Sequence, residues 1–279
     1  MSGLPGFSPV DGNVLEGVSA TTLWTLRNRA TEAKRSDGVI RDPWAVTLLD
    51  AIDYDYGKFG RPSQVHALRA LAFDSSTRNY LSTHPKASVV VLAEGLQTSF
   101  WRLDRAGVAD ELTWYSVDLP PVMTLREQLL PHDERIVELA QSALDLSWMD
   151  RVETKHGVFI TAEGLLMYLD PDDALGLIRD CAARFPGGQM MFDSVPPWFS
   201  RRTLKGAKLS GRYIAPPMPF ALTVDDGLAL AERIPGVQKA RDVALPQGRG
   251  VFKFAFWPPL DRIPLIRHRR PNCTLLEFG

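Results

Sequence analysis

The stretch A-S-V-V-V-L-A-E-G-L-Q-T-S-F-W-R, Ala87 to Arg102, carries four consecutive apolar residues, Val89 to Leu92. A short β-branched run without polar alternation is the pattern of a parallel strand buried on both faces. Ala93-Glu94-Gly95 follows, small residues around one acid, and Thr98 or Ser99 offers an N-cap for a helix. Strand, small-residue turn and helix N-terminus in succession are how open α/β sheets build a ligand pocket, at the carboxyl ends of their strands.

Working downstream, the alternation is regular. Strands are predicted at 112–117, 135–139, 157–162 and 189–192, with helices at 120–130 and 171–185 between them. The segment 196–219, rich in Arg, Lys, Gly and Pro, interrupts the rhythm. A helix resumes at 223–233, and two strands, 237–243 and 251–257, close the chain around a Gly-rich hairpin, Pro246 to Gly250. Upstream, 1–17 is a polar arm, followed by helices at 19–34, from Asp42-Pro43 onward, and at 63–81. The expected architecture is therefore a doubly wound α/β fold with a seven-stranded sheet ending in an antiparallel hairpin. Residues 1–86 form an N-terminal arm and helical cap, and 87–279 the core. An insertion at 196–222 follows strand five as a lid, and the whole makes one integrated domain.

Composition narrows the function. The 279 residues carry a formal net charge of -1, which gives no global electrostatic case for nucleic acid or an anionic membrane. Cys181 and Cys273 match no metal or redox spacing, and the five histidines form no paired ligand motif, so no metal is expected and a reduced, cytoplasmic setting is the default. No basic-then-apolar leader opens the sequence, and no apolar run approaches the ~20 residues that span a bilayer.

Acids recur where the predicted strands end. Glu94-Gly95 closes the first, and Asp118 closes the second, 23 residues beyond Gly95. That is near the ~20-residue spacing at which an acid meets a ribose diol. Asp145-Leu146 follows the third strand and Glu163-Gly164 the fourth. A dinucleotide would need G-x-G-x-x-G after strand one, whereas A-E-G-L-Q-T has a single glycine and presents a carboxylate where bare amides should meet phosphate. Glu94 suits a positively charged ligand. S-adenosylmethionine, with an ammonium, a sulfonium and no phosphate, is one.

From Ser19 to Trp257 the chain resembles the leucine carboxyl methyltransferase family, which includes polyketide-synthesis O-methyltransferases. The likeness rests on S-A-T-T-L-W-T-L-R-N-R-A-T-E with I-R-D-P-W-A, then A-L-R-A-L-A-F-D, V-V-V-L-A-E-G-L-Q-T-S-F-W-R-L, Y-S-V-D-L-P and I-T-A-E-G-L-L-M-Y-L, in that order. The resemblance implies the class I methyltransferase sheet and S-adenosylmethionine as methyl donor, leaving S-adenosylhomocysteine. It implies that Arg69 and Arg29 grip the cofactor carboxylate and that Gly95 lies against the methionine portion. Asp118, followed by Leu119, would hold the ribose, Asp145 and Leu146 would frame the adenine, Glu163 would face the methionine amino group or the floor of the pocket, and Tyr168 would border the acceptor.

The turn departs from the family's usual L-G-A-G-L-D-T-R. Ala93 replaces a glycine, Glu94 a small residue, Gln97 an acid and Ser99 an arginine. The expectation is that Glu94 compensates by pairing with the cofactor ammonium.

The activity implied is O-methylation of a small molecule, at a carboxylate or a hydroxyl. A carboxylate, with a pKa of ~4, needs no general base, and no motif supplies a histidine as one, so no catalytic residue is assigned. In the basic insertion, Arg212 and Tyr213 are the acceptor-binding candidates. Methylation of a protein C-terminus and a catalytically silent binding module are the alternative readings. Monomer and homodimer are both open.

Overall fold

The computed structural model describes residues 9–255, 263 and 267–279. Its centre is a seven-stranded sheet. The strands are β1 (Ser88–Leu92), β2 (Thr113–Asp118), β3 (Ile136–Ala140), β4 (Val158–Ala162), β5 (Gln189–Ser194), β6 (Val237–Asp242) and β7 (Asn272–Phe278). Their spatial order is β3-β2-β1-β4-β5-β7-β6. All neighbours pair in parallel except β7, which runs antiparallel to both β5 and β6. The order reverses between β1 and β4, and that switch point is where a doubly wound sheet opens a crevice.

β1 is central and every residue in it is buried. Because side chains alternate across a strand, Val90 and Leu92 pack on one face with Trp148, Ile178 and Phe185, while Val89 and Val91 pack on the other with Leu68, Phe73 and Phe100. The first layer includes α6 (Pro171–Arg184); the second includes α3 (Val65–Leu81) and α4 (Ser99–Arg105). A third cluster joins α1 (Thr21–Ala33), α2 (Pro43–Ala51) and α5 (Pro120–Leu129) through Leu23, Leu26, Leu48 and Leu125. The N-terminal helices therefore share a core with the β1–α4 turn through Leu96.

The last strand lies elsewhere than the sequence suggested. Val251–Trp257 reads as a strand because its apolar residues are dense, yet Phe252–Ala255 forms a helical turn, and 256–257 lies outside the described residues. Asn272–Phe278 fills the slot between β5 and β6. Its Cys273 and Leu275 join one core face and its Leu276 and Phe278 the other. A strand paired on both edges and buried on both faces outcompetes an apolar segment with no partner strand.

In the 196–222 segment, α7 (Pro197–Thr203) follows β5 directly, and 206–214 folds back on the loop after α2, where the Ser210 hydroxyl donates to the Lys58 carbonyl. The helix expected at 223–233 is broken into Val224–Leu228 and Leu230–Arg233, the first closed by a Thr223–Asp226 capping box. No helix among the described residues is long and apolar enough to cross a membrane.

Candidate functional site

The carboxyl ends of β1, β2, β4 and β5 open on a cavity of about 250 Å³, covered by α1 and the first turn of α3. Its shape begins with the β1–α4 turn. Ala93 and Gly95 both sit in the left-handed region, at φ 52° and 59°. At Gly95 a side chain is excluded twice, by this φ and because a Cβ would collide with the Thr22 hydroxyl. The turn is pinned from three sides. The Gly95 amide donates to the Asp118 carboxylate at 2.6 Å, the Leu96 amide donates to Thr22 Oγ1 at 2.6 Å, and Arg126 donates to the Gly95 and Gln97 carbonyls at 2.7 and 3.0 Å. Asp118 also accepts from the Leu119 amide at 2.7 Å. Burial nevertheless pushes the Asp118 pKa up against both amide hydrogen bonds.

Arg69 bridges the cavity's acids. Its Nε meets Glu163 and one Nη meets Asp193, each at 2.9 Å. Gln97 donates to the second Glu163 oxygen at 2.7 Å, and the Gly164 amide to the second Asp193 oxygen at 2.6 Å. Burial works against the Arg69 charge, but Asp193 and Glu163 more than offset it and hold its pKa above the ordinary value. The cavity lining includes the carboxylates of Asp118, Glu163 and Asp193 with Arg69 as the opposing cation, an environment that favours a cationic ligand.

The structure brings Arg69, Ala93, Glu94, Gly95, Asp118, Glu163 and Tyr168 to this cavity. It corrects the role expected of Glu94. That side chain has no exposed surface, and its carboxylate is turned inward between the Trp114 indole N–H at 3.3 Å and the Arg126 guanidinium at 3.0 Å. Burial, outweighing Arg126, pushes its pKa up. Arg29 is fully buried behind the turn, donating to the Leu96 carbonyl at 2.6 Å and facing Asp42 at 3.3 Å, with Nη1 unpaired. Leu119 contributes its amide to Asp118, while its side chain is exposed.

Arg29, Leu119, Asp145, Leu146, Arg212 and Tyr213 are absent from the lining. Asp145 caps a turn by accepting from the Ser147 amide, and Leu146 beside it is exposed. Arg212 pairs with Asp55 at the surface at 2.7 Å. Tyr213 meets Phe59 edge to face and Trp24 at a tilt, and of these two Trp24 lines the cavity.

Several lining residues escaped the sequence reading. Asp193 ends β5 as Asp118 ends β2, so its position was the available signal. Gln97, which replaces an acid of the family pattern, serves Glu163 as a donor. Thr22 lies within the motif that opens at Ser19, whereas His66, just ahead of A-L-R-A-L-A-F-D, carries no motif signal. From the 196–222 segment, Phe199 and Met218 also line the cavity. Among the described residues no group of His, Cys, Asp and Glu could hold a metal ion.

The sequence profile of the family described as leucine carboxyl methyltransferase matches residues 22–182. The tetracenomycin polyketide synthesis O-methyltransferase TcmP of Streptomyces glaucescens is 33% identical over 227 residues, 80% of this chain and 82% of that protein. The S-adenosyl-L-methionine-dependent methyltransferase dpfgK of Gibberella zeae is 27% identical over 203 residues, 64% of this chain and 67% of that protein. Among solved structures, a presumed methyltransferase from Thermobifida fusca superposes with a TM-score of 0.53 at 16% identity, covering 90% of this chain and 94% of that one. At this identity the superposition speaks to the fold.

Proposed function

The chain belongs to the leucine carboxyl methyltransferase family, and from that premise we propose that it is an S-adenosylmethionine-dependent O-methyltransferase acting on a small, polyketide-like acceptor at a carboxylate or hydroxyl oxygen. The observation that carries the reading is the Gly95–Asp118 cradle at the mouth of β1, opening on a cavity rich in carboxylates. The residues present fit the cofactor. Asp118 offers two carboxylate oxygens to a ribose diol, with neighbouring amides fixing its orientation. Gly95 lets the turn close against Thr22, and its amide sets the direction of the Asp118 carboxylate. Arg69 is the guanidinium within reach of a carboxylate, and Glu163 and Asp193 beside it suit an ammonium.

The altered turn is compatible with binding because Glu94 and Gln97 each have a partner elsewhere in the fold. Glu94 has Arg126, and Gln97 has Glu163. When bound, S-adenosylmethionine supplies an electrophilic methyl carbon; the new bond forms to the acceptor oxygen, and the electron pair of the broken carbon–sulfur bond stays on sulfur. The protein's task is to hold donor and acceptor in line, which can be worth roughly 7–11 kcal/mol in effective molarity. For an ionised carboxylate no proton need move. Phe199, Met218 and Trp24 give the acceptor an apolar wall that excludes water.

Titration calorimetry with S-adenosylmethionine, followed by a screen of aromatic acids and phenols for S-adenosylhomocysteine formation, tests the reading. Binding with turnover is expected. Absence of binding overturns it, and binding without turnover on any acid or phenol favours a silent binding module.

A further inference from the structure

His66 lies in the first turn of α3 and lines the cavity, and its proton can be placed from its neighbours. Its Nδ1 is 2.8 Å from the Asn28 side-chain nitrogen. The other end of that amide, Oδ1, accepts from the Ser63 backbone N–H at 3.3 Å. A backbone N–H can only donate, so the atom facing Ser63 is the amide oxygen and the atom facing His66 is the NH2. Nδ1 is therefore the acceptor, and the ring proton sits on Nε2.

The ring is fixed as well as its tautomer. Trp24 meets it edge to face, with centroids 4.8 Å apart and planes at 89°. Nε2 has no protein partner among the described residues, yet it is not sealed from solvent-accessible space as the buried unpaired atoms are. Several other polar groups around the cavity are already committed. The Ser194 hydroxyl donates to Asn272, Asn272 donates to the Leu222 carbonyl, and Arg69 Nε and one Nη face Glu163 and Asp193. The charged groups that face His66 are Arg69 on its own helix and Arg29 on α1; with burial as the larger cause, they push its pKa well below the ordinary value. Two guanidiniums nearby disfavour an imidazolium, and the occupied Nδ1 has no lone pair to spare.

We propose that His66 binds the methyl acceptor, donating a hydrogen bond from Nε2–H to an oxygen of the acceptor's carboxylate or ring-hydroxyl group without taking a proton from it. This rests on the proposed O-methyltransferase reading and deepens it. A neutral donor in a cavity rich in acids gives an oxygen-bearing group one favourable site and an orientation. A donor that cannot turn into an acceptor also discriminates, because an acceptor presenting an N–H there would meet another N–H.

The test is nuclear magnetic resonance on the full chain labelled with 15N-histidine, with His66→Phe used to assign the His66 signals. Long-range proton–nitrogen correlations should show the neutral Nε2–H form of His66 from pH 5.5 to 8. Asn28→Asp, which offers only acceptors to Nδ1, should move the proton to Nδ1. With S-adenosylhomocysteine present, 2-naphthoate should shift the His66 Nε2 resonance saturably, and Asn28→Asp and His66→Phe should each weaken its binding at least tenfold. Circular dichroism melts of both variants report the fold. An Nδ1–H form or an imidazolium at pH 7 in the wild type, or a 2-naphthoate titration that leaves His66 unshifted, overturns the proposal. Failure of the parent reading looks different: S-adenosylhomocysteine does not bind at all, whatever the His66 tautomer.

Discussion

The Arg126 guanidinium stands 3.0 Å from the Glu94 carboxylate, both side chains are almost wholly removed from solvent, and the same guanidinium donates to the carbonyls of Gly95 and Gln97. One cation thus neutralises the residue that sets this turn apart from its family and holds the turn's backbone. Glu94 Oε2 makes no aligned hydrogen bond, so the attraction is ionic rather than directional.

Breaking that pair leaves a buried charge alone. Arg126→Leu should cost about 3–5 kcal/mol at pH 7, measured by urea denaturation. Glu94→Ala in the same chain removes the stranded carboxylate, so the double variant should recover part of the loss, with a coupling of at least about 1 kcal/mol. The pH dependence has a definite sign. The Glu94 pKa is raised in the fold, so its contribution is most favourable in acid and is lost as pH rises above the ordinary 4.5 through the raised value. The Arg126→Leu penalty should therefore be smaller at pH 5 than at pH 7.

Ala93 occupies a backbone conformation its side chain disfavours, at φ 52°. Ala93→Gly restores the residue common in the family pattern and removes the steric cost, at the expense of a more flexible unfolded chain. The expected outcome is a net gain of up to about 1 kcal/mol. A thermal melt that drops instead would show that the Ala93 methyl contributes packing that outweighs the strain.

The sheet was legible from sequence where a strand carries its own local pattern between turn residues. Val89 to Leu92 could be read because four apolar residues follow one another, so the chain shows the strand locally. Asp118 was picked out by its place at the end of the second strand, 23 residues beyond Gly95, and by the Y-S-V-D-L-P motif. β7 was not legible. Its identity depends on slotting between β5 and β6 after the excursion 243–271, a long-range pairing without local signature, while Val251–Trp257 carried the stronger local pattern. The site divides in the same way. Arg69 and Glu163 follow from motifs, but the hydrogen bond that turns Gln97 from a lost acid into a Glu163 donor depends on two elements meeting in space. Arg212 and Tyr213 misled because charge beside aromatics reads alike whether it faces a cavity or, as here, Asp55 and Phe59.

Asp42 ties the helical cap to the core. It caps α2 by accepting from the Ala45 amide, accepts from the Thr98 hydroxyl, and pairs with Arg29 and Arg102. Burial pushes its pKa up, but Arg102, Arg29 and these hydrogen bonds outweigh burial and hold it below 3.8. A depressed carboxylate pKa stabilises the fold above the ordinary value and loses that contribution as pH falls through the folded value. Asn preserves the cap, so Asp42→Asn isolates the charge. It should destabilise by about 3–5 kcal/mol at pH 7 by stranding Arg29. The gap from wild type should close as pH drops below 3.8, where Asp42 itself becomes neutral.

Asp118 sets the pH range for cofactor binding if it holds the ribose. Its carboxylate is oriented by the Gly95 and Leu119 amides, and burial raises its pKa despite them. For the unliganded fold this means a contribution that is best in acid and lost as pH rises through the raised value. Ligand binding has the opposite sign, because a ribose diol donates to the ionised form. Wild-type affinity for S-adenosylhomocysteine should therefore weaken on acidification, beginning above the ordinary 3.8. Asp118→Asn presents an NH2 to a partner that can only donate, either an amide N–H of the turn or a ribose hydroxyl held as a donor. It should weaken binding about tenfold to a hundredfold, or about 1.4–2.7 kcal/mol, and flatten the acid limb. Calorimetry from pH 5 to 8 on both proteins checks this. Equal affinities and parallel pH profiles would remove Asp118 from the cofactor site and leave it as a brace for the Gly95 turn.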